Sequence, residues 1–137
     1  MLILAHTNVS KPSLKRTVMN DFRKLSIWNR SIELATNTYK ISSSFPKSEI
    51  YSLTSQMRRS AVSIGSNIAE GAGRQSNKEF AKYLRIAYGS ACELETQVII
   101  AKNLSYLTAI NFSDFVKELH EIQKMIYSLE KNKRTGE

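Results

Sequence analysis

The chain has one cysteine in 137 residues, two prolines, five glycines and two histidines, and each scarcity removes a class of structure or chemistry. The lone Cys92 closes no internal disulfide. Its flanks Ser90, Ala91 and Leu94 place it in a helical run with no second thiol or histidine beside it, so it reads as a small core residue. No proline follows Pro46, which favours long helices over a sandwich or barrel. Apolar runs are short as well. The opening MLILA gives way at once to His6 and polar residues, less than a signal peptide needs, and Val98 to Ala101 is too short to span a bilayer. The protein is therefore expected to be soluble and cytoplasmic, with no membrane partner.

Acidic residues are missing from the first nineteen positions, which carry Lys11, Lys15 and Arg16, and the whole chain has a net charge of +8. An excess of this size suggests an anionic partner, nucleic acid before membrane. What is present in quantity is apolar: 42% hydrophobic and 9% aromatic residues exclude a disordered class and suffice for one core. Residues 1–19 have no sustained period and read as a flexible tail, so that Met19 is a candidate natural start. Residues 20–137 read as a single domain.

Four segments carry apolar residues at alternating steps of three and four, the spacing that gathers side chains on one face of a helix. The first comprises Leu25, Trp28, Ile32, Ala35 and Tyr39 and fails at Ser42-Ser43-Ser44. The second comprises Leu53, Met57, Ala61, Ile64 and Ile68 and is expected to end near Gly71 in a left-handed cap. The third opens on the capping-box spacing Ser76 to Glu79 and runs through Phe80, Leu84, Ala87, Ala91, Leu94, Val98 and Ala101. The fourth, after a break expected around Thr108 to Ser113, carries Phe115, Leu119, Ile122, Ile126 and Leu129, and ends in cations that suit the helix dipole. Four amphipathic helices on short links predict an all-α fold, an antiparallel up-down-up-down four-helix bundle.

The second helix has another periodic stripe, Gln56, Ser60, Ser63, Asn67 and Glu70, and the third places Tyr83, Ile86 and Ile99 off its core face. Two readings stay open: a polar seam inside the bundle, or a subunit interface. Gly65 and Gly89 fit either, since small residues let backbones approach closely.

Catalytic and metal chemistry find little support. Bundle di-metal sites need Glu-x-x-His pairs, but the residue three before His120 is Lys117, and His6 lies in the tail. No arginine lies within ten residues before His120, which removes the arginine–histidine constellation of HEPN-type ribonucleases. Neither a P-loop nor a GxGxxG occurs. Glu70 with Glu93 and Glu95 is the remaining acid–base candidate, against an ordinary role in ion pairs. The reading is thus of a non-enzyme without metal or cofactor. Charge geometry carries more: Lys78, Lys82 and Arg85 stand at i, i+4, i+7 on the third helix, with Arg74 just before it and Arg58-Arg59 on the second. Such a stripe beside a helix N-terminus suits phosphate backbones of RNA or DNA, the competing reading being an ordinary solvated face.

The stretch Leu53-Thr54-Ser55-Gln56-Met57-Arg58-Arg59-Ser60-Ala61, then Ser63-Ile64, Asn67-Ile68-Ala69-Glu70-Gly71, Arg74, Glu79-Phe80 and Tyr83-Leu84 resembles the bacterial four-helix bundle proteins encoded by intervening sequences in 23S ribosomal RNA genes. Glu93-Leu94-Glu95-Thr96 and Trp28 fit as well, so the resemblance covers about residues 20 to 130. That family is similar in fold to the accessory variability determinant of diversity-generating retroelements. The resemblance implies a basic homo-oligomer, a pentamer favoured, in which Gln56, Ser60, Ser63, Asn67, Glu70 and Gly71 form an interface or structural signature. The basic stripe and the charge excess point to a nucleic-acid-binding accessory or structural role, the alternative being a scaffold for a protein partner such as a reverse transcriptase.

Overall fold

A computed structural model describes residues 21–136; the expected tail and the Met19 start lie outside them. After a 3-10 turn at Phe22–Lys24 come α1 (Ser26–Ser42), α2 (Leu53–Ala72), α3 (Asn77–Asn103) and α4 (Ala109–Thr135), with a second 3-10 turn at Lys47–Glu49 in the first connection. Among the described residues there is no strand, and each helix packs on its sequence neighbours while α1 also packs on α4. The directions follow from side-chain pairs. Ser63 of α2 meets Ser90 of α3 while Gly71 faces Phe80 and Tyr83. Arg85 and Glu95 of α3 meet Glu130 and His120 of α4 respectively, so consecutive helices run antiparallel. The fold is the expected all-α four-helix bundle.

The periodic faces of α2 and α3 are the core. Met57, Ala61, Ile64 and Ile68 on α2, and Leu84, Ala87, Ala91, Leu94 and Val98 on α3, are completely excluded from solvent. On α4 Phe115, Leu119, Ile122 and Ile126 join them. Ser76 caps α3 by accepting from the Glu79 N–H at 3.1 Å, as the spacing predicts, and Thr108 does the same for α4. Because Thr108 is that cap, α4 starts at Ala109, and the break lies upstream of the expected Thr108 to Ser113. There Ser105 takes a left-handed conformation with φ 65°.

Helix α1 departs from its expected face. Ile32 and Tyr39 are exposed and Leu25, Trp28 and Ala35 only partly covered, whereas Ile27, Ser31, Leu34, Thr38 and Ser42 point into the bundle. Apolar periodicity misses this face because its hydroxyls are satisfied within the helix. Ser31 donates to the Ile27 carbonyl at 2.8 Å, Thr38 to Leu34 at 2.7 Å and Ser42 to Thr38 at 2.6 Å, which removes the cost of burying them. Cys92 is likewise not in the core. Ala91 and Leu94 hold the inward positions, and one residue further round the helix the thiol is exposed.

Gly71 is not a left-handed cap, since its φ is not positive and the helix continues to Ala72. Its absence of a side chain serves another purpose. A Cβ there would lie 2.8 Å from the Tyr83 Cβ and 3.0 Å from a Phe80 ring carbon, so the α2–α3 hairpin closes only over glycine. Gly89 is the opposite case, with nothing within 4 Å of its would-be Cβ. Gly71→Ala is therefore expected to cost about 1–3 kcal/mol by overpacking, and Gly89→Ala to gain about 1 kcal/mol of helix propensity. Urea midpoints moving in opposite directions are the expected result.

Candidate nucleic-acid interface

The helix start of α3 and the helix end of α4 lie side by side, and their cations gather there. Lys78 and Lys82 are exposed on the first turns of α3, with Lys82 5.9 Å from the centre of the Tyr83 ring. Arg85, one turn further, donates to Glu130 of α4 at 2.8 Å, and Arg134 donates to the same carboxylate oxygen at 3.0 Å. Lys133 stands over the Phe80 ring at 5.5 Å. Burial of Glu130 opposes its charge, but the hydrogen bonds from Arg134 and Arg85 outweigh it and hold its pKa below the ordinary carboxylate value of 4.5. One buried acid thus tethers two arginines, which keep outward N–H groups. In the sequence Lys133 and Arg134 stand out only as complements of the helix dipole. The steps 124, 127, 131 and 134 along α4, Lys-Tyr-Lys-Arg, were the available signal for a basic face.

The six cations singled out from the sequence do not form one continuous stripe. Arg58 turns toward α1, where it donates to Ser42 Oγ at 3.0 Å and lies 4.7 Å over the Tyr39 ring; it fastens the end of that helix. Arg74 donates to Glu70 at 2.6 Å and to the Tyr83 hydroxyl at 2.8 Å, bracing the α2–α3 turn. Its Nε has no hydrogen-bond partner and stays 3.9 Å from Glu79. Arg59 is exposed on α2 with no ion pair among the described residues. The structure therefore groups Lys78, Lys82 and Arg85 with Lys133 and Arg134, and assigns Arg58 and Arg74 to internal fastening.

The polar signature of α2 lies largely against α3. Ser60 is buried, Ser63 shares a 2.9 Å hydrogen bond with Ser90, and Asn67 donates to Ser63 at its carbonyl and its hydroxyl, at 2.8 and 3.0 Å. Glu70 is exposed but paired with Arg74, Gly71 is taken by the close approach, and Gln56 is exposed. Of the two readings, these hydrogen bonds are those of a seam inside the bundle.

The carboxylates considered for acid–base work are dispersed. Glu70 sits at the hairpin level with Tyr83, about 18 Å along the axis from Glu95 at the ordinary helical rise. Glu93 is exposed without a hydrogen bond among the described residues, and Glu95 accepts from His120 Nε2 at 2.9 Å and Gln123 at 3.0 Å across the α3–α4 groove. Those two hydrogen bonds, His120 first, lower the Glu95 pKa, while burial and then the nearby Glu95 charge raise that of Cys92. Among the described residues no group of three or more His, Cys, Asp or Glu is placed to hold a metal, and no helix is long and apolar enough to cross a membrane.

Two carboxylates with depressed folded pKa values fix a pH dependence. Their contribution is complete above the unfolded value near 4.5 and is lost as pH falls through the lower folded values. The urea midpoint is expected to drop as pH is taken below 4.5, and to drop less steeply in Glu95→Gln, which no longer titrates.

The comparisons with known proteins agree with this architecture. The family described as 23S rRNA-intervening sequence protein matches residues 23–128. Among solved structures, the chain is similar to a protein of unknown function from the S23 ribosomal protein family of Bacteroides thetaiotaomicron VPI-5482. Identity is 28% and the TM-score 0.70, over 77% of this chain and 98% of that one. No curated protein matches.

Proposed function

This chain belongs to the 23S rRNA-intervening sequence protein family, and on that footing we propose that it is a non-enzymatic accessory or structural protein that binds the phosphate backbone of RNA or DNA. The observation that carries the reading is the convergence of Lys78, Lys82 and Arg85 with Lys133 and Arg134 at the N-terminal end of α3, where unpaired helix N–H groups add to the positive potential. Among the described residues, Glu130 beside them is already committed to two arginines, and Glu79 lies one residue from Lys78. A cytoplasmic setting accords with this role. Binding is expected at low salt and to weaken steeply as salt rises. Lys78→Ala with Lys82→Ala, both exposed, is expected to lower affinity on every sequence and to flatten the log–log salt slope by about 0.7–0.9 for each phosphate that the variant no longer neutralises. Absence of binding at low salt, or an affinity indifferent to this pair, refutes the reading.

The same proposal includes a closed homo-oligomer, for which a pentamer is the expectation from the resemblance to the accessory variability determinant. The supporting observation is the groove between α1 and α2, about 510 Å³, where Trp28, Ile32, Tyr39 and Val62 leave apolar surface uncovered. That groove also supports the second reading, a scaffold for a protein partner such as a reverse transcriptase. Light scattering is expected to give about five times the 15.6 kDa of one chain, and Ile32→Glu to disperse the assembly. A wild-type protein that stays monomeric removes the oligomer and leaves the groove to a different partner.

A further inference from the structure

The groove between α3 and α4 continues away from the cation patch, and its walls change from charge to aromatic rings. The register set by Arg85 against Glu130 and by Glu95 against His120 brings Tyr88 of α3 level with Tyr127 of α4. Both line one groove of about 500 Å³, together with His120, Gln123, Lys124 and Ser128, a volume in the range of ligand clefts. Tyr88 is 38% exposed and Tyr127 59%, and neither belongs to the hydrophobic core. Among the described residues neither hydroxyl makes a hydrogen bond and neither ring packs on another ring, so both keep solvent-exposed aromatic surface without an aromatic partner. None of the lining residues is acidic, and two acids on the same α3–α4 seam are occupied, Glu95 by His120 and Gln123, Glu130 by Arg85 and Arg134. Lys124 on one side and Arg85 with Arg134 on the other therefore leave it cationic.

Two exposed tyrosine rings between cations that lead to a phosphate-binding patch have the composition of a stacking platform. Every nucleobase has a π-face, whereas a duplex keeps its bases stacked inside and offers a protein mainly phosphates. We propose that the α3–α4 groove receives the bases of a single-stranded nucleic acid, stacked on Tyr88 and Tyr127, while Lys124, Arg85, Lys82 and Lys78 track its backbone. The inference rests on the phosphate-binding reading above and deepens it from any polyanion to an unpaired strand.

The probes are a short oligouridylate, its oligodeoxythymidylate counterpart, and an RNA duplex of equal length, each titrated with the full chain at low salt. The wild type is expected to bind at least one single strand more tightly than the duplex. Tyr88→Ala and Tyr127→Ala are each expected to weaken that strand by about tenfold and leave the duplex unchanged, with Tyr→Phe at either position retaining affinity because the ring stacks and not the hydroxyl. Since both rings are exposed, unaltered circular dichroism and urea midpoints are expected to accompany these changes. Lys78→Ala with Lys82→Ala should weaken strand and duplex alike, which separates backbone binding from base stacking. Equal wild-type affinity for strand and duplex, or alanine variants within about twofold of wild type on the strand, overturns the stacking site while leaving the backbone reading in place. A wild type that binds none of the three overturns both.

Discussion

The bundle depends on how closely α3 lets its neighbours approach. Its inward face intersperses large residues with alanine, Leu84, Ala87, Ala91, Leu94, Val98 and Ala101, and these are all sealed from water. Alanines draw the facing helices in, and the larger side chains fill the space between, as a close-packed interior requires. At one end the approach is so tight that α2 presents Gly71 to Phe80 and Tyr83. A helix of this length spans about 40 Å, so fixing α2 and α4 on it fixes the placement of every surface side chain they carry.

That dependence explains why the cations divide as they do. Those at the seams, Arg58 and Arg74, are drawn into hydrogen bonds that hold α1 to α2 and the hairpin closed. Those on outward turns of α3 stay available, and α4 adds its own because its last turns run alongside the first turns of α3. The buried Glu130 is the joint between the two helices: an acid this sheltered needs partners, and Arg85 and Arg134 reach it from different elements.

The fold was legible wherever burial and apolar character coincide, as on α2, α3 and α4, and at Ser76, where a three-residue spacing specifies a cap. It was illegible on α1, whose inward face is built from Ser31, Thr38 and Ser42; hydroxyls that bond their own helix look polar in sequence and behave as filler in the core. For the candidate site, spacing within one helix found Lys78, Lys82 and Arg85 but had no means of showing that α4 would lay Arg134 beside them. It also had no means of showing that Arg58 faces inward, because the groove between α1 and α2 exists only after packing.

The hydroxyl-lined face of α1 has a consequence for how the molecule breathes. With Ile27 and Leu34 as its principal sealed apolar anchors, α1 gives up less buried hydrocarbon on detaching than α2, α3 or α4 would. Its Ser and Thr hydroxyls lose nothing, since their acceptors travel with them. Its departure is resisted further by the partly covered Leu25, Trp28, Ala35 and Ile41, by the pair Arg30–Glu118 near one end and by Arg58 on Ser42 at the other. The lowest-energy opening of this bundle is therefore the release of α1 from a three-helix remainder, and its amide protons are the ones that solvent reaches first.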